Sequence, residues 1–173
     1  LAGSTQRHAG EGCIGRSHAQ ESGHCCPQAL NFTLILSECG TRVIILVGSK
    51  IDQSSIRSSL GKPEYSYYFL MKDFLPVLER LGTVMVVESL EEITSLSNRF
   101  RAEGEQVIFF SFSPPQQAPL QTGCPTIVVF AWEFDRLPDM AWGDNPQNDW
   151  RYVFERVAGT ISTSREAADL VSA

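Results

Sequence analysis

The run Val43-Ile44-Ile45-Leu46-Val47, ending at Gly48, constrains the fold more than any other feature of this chain. It offers no polar face to solvent, so it predicts a strand covered on both sides, the first strand of a parallel sheet sandwiched between helices. The rest of the chain from Arg42 onward has to supply those helices and further strands.

It does so in alternation. Phe74, Val77, Leu78 and Leu81 fall at i, i+3, i+4 and i+7, which is one face of a helix ending at Gly82. That helix starts either at an Asp73 cap with Pro76 in its first turn, or near Tyr65 with Pro76 inside it. Thr83 to Val87 reads as a strand. Ser89 and Glu92 have capping-box spacing, opening a helix that Ile93, Leu96 and Phe100 carry to Gly104. Gln106 to Phe110 is a third strand, stopped by Ser113-Pro114-Pro115, and Pro125 to Ala131 is a fourth. Asn145-Pro146 predicts a helix with Trp150, Val153, Phe154 and Val157 on one face and Gly159 at its end. Thr160 to Ser162 is a short fifth strand, and Ser164 caps a last helix. The expected fold is α/β: a Rossmann-like parallel sheet with helices on both faces and right-handed crossovers.

Residues 1–30 carry no period of either kind and read as a disordered tail before a domain at 31–173. The tail holds all of His8, His18 and His24, and Cys13, Cys25 and Cys26. Their spacing does not reproduce the paired ligands of a zinc site, so the plain tail is preferred. Cys39 and Cys124 make the cysteine count odd, at 5, which suits a reducing, cytoplasmic setting better than a disulfide framework. A net charge of −6 without a basic stripe weighs against nucleic acid as a partner. No stretch is long and apolar enough to predict a membrane span. The chain begins at Leu1 rather than Met and stops at Ala173 within a helical pattern, so both ends read as fragment ends.

In open parallel sheets ligands bind beyond the carboxyl ends of the strands. That rule selects Gly48-Ser49, Ser111 to Pro115, Trp132 to Asp135, and Thr163-Ser164. The loop Gly48-Ser49-Lys50-Ile51-Asp52-Gln53 has one glycine where a dinucleotide fingerprint needs three, and it is no P-loop. The folded region has neither a G-x-S-x-G elbow nor a histidine, which removes serine and cysteine hydrolases. In Phe130-Ala131-Trp132-Glu133-Phe134-Asp135 the carboxylates can accept sugar hydroxyls and the indole can cover a ring. Equally, Trp132 can pack in the core while Glu133 caps a turn or pairs with Arg136 or Arg151. Tyr65, Tyr67 and Tyr68 could line a polyol site, but their helical spacing favours the core. Cys124 reads as a small buried filler.

These residues also carry a resemblance. Ser58 through Tyr68, Phe110 through Pro115, Cys124 through Asp135, and Asn148-Asp149-Trp150-Arg151 resemble the N-terminal domain of bacterial group 1 glycosyltransferases. Those are retaining enzymes of the GT-B type, with two facing Rossmann-like domains. The most specific pieces are Ala131-Trp132-Glu133-Phe134 and Asn148-Asp149-Trp150-Arg151.

The resemblance implies a fragment of an enzyme that transfers a sugar from a nucleotide-sugar donor to a hydroxyl of a glycan, glycolipid or polysaccharide. Acceptor-binding residues would be Ser113, Trp132, Glu133, Asp135 and Tyr65, with Ser164 at a helix N-terminus facing the cleft. The donor would be held by a second, C-terminal domain not present here, so the fragment alone is expected to be inactive. No cofactor is implied, and no Asp-x-Asp motif suggests a metal. Peripheral membrane contact of the parent enzyme is compatible with this reading. The alternatives are a non-catalytic nucleotide- or effector-binding α/β domain, for which Gly48-Ser49-Lys50 is a poor phosphate cradle, and an interaction module. An exposed apolar patch on the cleft side would favour a missing domain.

Overall fold

The computed structural model describes residues 42–49 and 64–172. Residues 1–30, with their three histidines and three cysteines, lie outside the described residues, as do 31–41 and Lys50 to Pro63. The described elements run β1 (Val43–Ser49), α1 (Glu64–Leu78), β2 (Thr83–Val86), α2 (Leu90–Ala102), β3 (Gln106–Phe112), β4 (Thr126–Phe130), α3 (Trp150–Phe154), β5 (Gly159–Ser162) and α4 (Arg165–Ser172). The five strands form one parallel sheet in the order β2-β1-β3-β4-β5. This is the Rossmann-like α/β architecture that the apolar run and the alternation predict.

Each face of the sheet has its own helix layer. Ile44, Leu46, Val107 and Phe109 pack with Ile93 and Phe100 of α2. Ile45, Val47, Phe110 and Phe112 point the other way and pack with Tyr67, Tyr68, Met71 and Leu78 of α1. Ile44, Leu46 and Val47 are 0% exposed, and full burial of each such side chain contributes about 1.5–3 kcal/mol. Phe130 alternates with Val129, whose register partner is Phe112, so Phe130 faces the α2 side. It meets Trp150 of α3 at a ring distance of 5.6 Å. The crossovers into β3 and β5 thus run over the same face, as right-handed connections moving in one direction must.

Helix α1 starts at Glu64 with Pro76 inside its last turn, the second of the two starts the sequence allows, and the missing N–H there removes only one late hydrogen bond. Other boundaries differ from expectation, each for a local reason. Ser89 Oγ accepts the Glu92 N–H at 3.1 Å, but Glu92 Oε2 accepts from Glu88 rather than from Ser89 itself. The capping box is therefore shifted one residue outward. The helix expected from Pro146 to Gly159 is two pieces: a 3₁₀ turn over Pro146–Asn148 capped by Asn145, and α3 capped by Asp149. Asp149 is extended (φ −79, ψ 110) because its carboxylate takes the Arg151 N–H, and that capping geometry interrupts the helix. Gly159 begins β5 and ends no helix.

Candidate functional site at the carboxyl end of the sheet

The strand order reverses between β1 and β3: β2 lies on one side of β1, and all later strands lie on the other. Crevices form at such a reversal, beyond the carboxyl ends of the two strands. Here the register sets Gly48 beside Ser111 and Ser49 beside Phe112. A Cβ on Gly48 would stand 3.2 Å from the Val87 carbonyl oxygen and 3.3 Å from the Phe109 ring. The glycine thus lets the chain leaving β2 close onto the end of β1, where Val87 N–H donates to Val47 O at 2.8 Å.

Ser113 belongs to this reversal but faces inward. It is 4% exposed, and its hydroxyl lies 2.9 Å from that of Ser111, itself 3% exposed. Each hydroxyl satisfies the other, so the pair pins the end of β3 and does not line an open surface.

The loop from Ala131 to Asp149, leaving β4, gathers the remaining chemistry. Tyr67 of α1 holds its start: the phenol oxygen accepts from Ala131 N–H at 3.3 Å and donates to Ala131 O at 3.4 Å. Burial pushes the Tyr67 phenol above its ordinary pKa, against the opposing pull of the Ala131 hydrogen bond. Trp132 is half-buried. Its ring packs on Trp150 at 4.4 Å and on Phe134 at 4.9 Å, and its indole N–H donates to Arg136 O at 2.8 Å. Trp150 in turn donates its backbone N–H to Pro138 O at 2.9 Å, and Arg151 donates to Asp139 O at 2.7 Å. Both arms of the loop are therefore tied to the first two residues of α3.

Glu133 and Asp135 project from this frame into solvent. Among the described residues neither makes an ion pair. Arg151, one of the partners considered for Glu133, is bound to Asp149 at 2.9 Å, and its guanidinium holds the Asp149 carboxyl below the usual carboxylate range. The carboxylates at 133 and 135 are thus free to accept hydrogen bonds from a ligand, beside the Trp132–Phe134 ring pair.

Trp132, Glu133 and Asp135 come together in one loop, and Ser164 and Tyr65 lie on other elements. Ser164 Oγ accepts the Ala167 N–H at 3.1 Å, capping α4. Tyr65 packs its ring against Phe69 at 4.9 Å. Of the three phenols it is Tyr67 that reaches the loop, a role that sequence spacing does not separate from that of Tyr65. Cys124 is half-buried and packs beside the α2 cluster. Met140 and Trp142 were not singled out from the sequence, although Gly143-Asp144-Asn145-Pro146 marks a turn that must present its neighbours at the surface.

Among the described residues, no group of three metal-ligating side chains comes together, and no helix is long and apolar enough to cross a membrane. No protein-family model matches the sequence, and no curated protein is significantly similar to it.

Proposed function

We propose that this chain is the acceptor-side domain of a glycosyltransferase of the two-domain GT-B type, which transfers a sugar from a nucleotide-sugar donor to a hydroxyl of a glycan, glycolipid or polysaccharide. The observation that carries the reading is the loop after β4. It sets two unpaired carboxylates, Glu133 and Asp135, next to a stacked indole, Trp132, at the carboxyl end of a parallel sheet. Carboxylates accept sugar hydroxyls, and an aromatic face covers the apolar side of a ring. The same loop exposes large apolar side chains, as a surface awaiting a second domain does. In this reading Tyr67 and Trp150 are positioning residues, and Ser113 supports the end of β3. The odd cysteine count suits a cytoplasmic setting.

The test is ligand-observed NMR on the isolated chain with a panel of neutral oligosaccharides and, separately, UDP-glucose. An oligosaccharide should bind without nucleotide, and Glu133→Gln should weaken it about tenfold, the scale of one charged hydrogen bond. Binding of UDP-glucose with no oligosaccharide bound would favour a nucleotide-binding regulatory domain and sink the proposal.

A further inference from the structure

We draw no further inference here: the strongest candidate, the outer edge of β2 (Thr83–Val86), which among the described residues pairs only with β1, carries nothing because nothing in the structure shows what covers it.

Discussion

At Gly82 there is no room for a side chain: a Cβ would collide with the carbonyl oxygen of Val43, where β1 begins. Backbone cannot move aside as a flexible side chain can. Gly82→Ala is therefore expected to destabilise the fold by about 1–3 kcal/mol, the usual cost of overpacking, read from the urea midpoint. Gly159→Ala serves as the control, since its Cβ would first meet Ile127 Cγ1 at 4.0 Å, an ordinary contact. Both glycines look like helix terminators in the sequence. Only Gly82 follows a helix closely, and what makes it necessary is a strand 39 positions earlier in the chain. The candidate site divides in the same manner. Trp132, Glu133 and Asp135 were legible because they are contiguous at a strand end. The contact of Ser113 with Ser111 was not, because it depends on how β3 ends within the sheet.

Asp149 governs the 3₁₀ turn and α3. Apolar spacing at Trp150, Val153, Phe154 and Val157 argues for one continuous helix from Pro146, and periodicity carries no information against it. The competing term is the aspartate side chain, which caps Arg151 N–H at 3.0 Å and pairs with its guanidinium. Asp149→Asn keeps a capping oxygen and removes the ion pair. Because Arg151 lowers the folded-state pKa of Asp149 from 3.8, the pair contributes stability above that value. This contribution is lost as the pH falls through the lower folded-state value. Asp149→Asn should thus be less stable than wild type at pH 7, and the gap should close on acidification below about pH 4. Thermal denaturation of both proteins across that range checks it, and a gap that persists at low pH contradicts the assignment.

Across the molecule, Trp150 connects the sheet to the loop that holds the candidate site. It packs on Phe130 of β4 and on Trp132, and its backbone anchors Pro138. It is 1% exposed, and among the described residues its indole N–H has no hydrogen-bond partner, so its contacts there are packing contacts. Trp150→Ala is expected to cost about 3–5 kcal/mol, as for large buried aromatics, and to release the loop. Trypsin should then cleave after the exposed Arg136 markedly faster than in wild type under conditions where both proteins remain folded. Trp150→Phe keeps a ring and loses no hydrogen bond, so it should restore much of the protection. Cleavage unchanged in Trp150→Ala would show that the loop does not depend on this contact.

The alternation of apolar runs and helical spacing by itself determined the five strands, helices α1, α2 and α4 and a sheet covered on both faces, because period and turn chemistry are properties of neighbouring residues. It also marked the loop after β4 as a place for chemistry. The tertiary structure alone decided the strand order β2-β1-β3-β4-β5 and hence where the sheet reverses. It also decided which tyrosine reaches Ala131, 64 residues away, and which aromatics the loop buries and which it exposes. Those outcomes depend on contacts between segments far apart in the chain, whose energies no local pattern encodes.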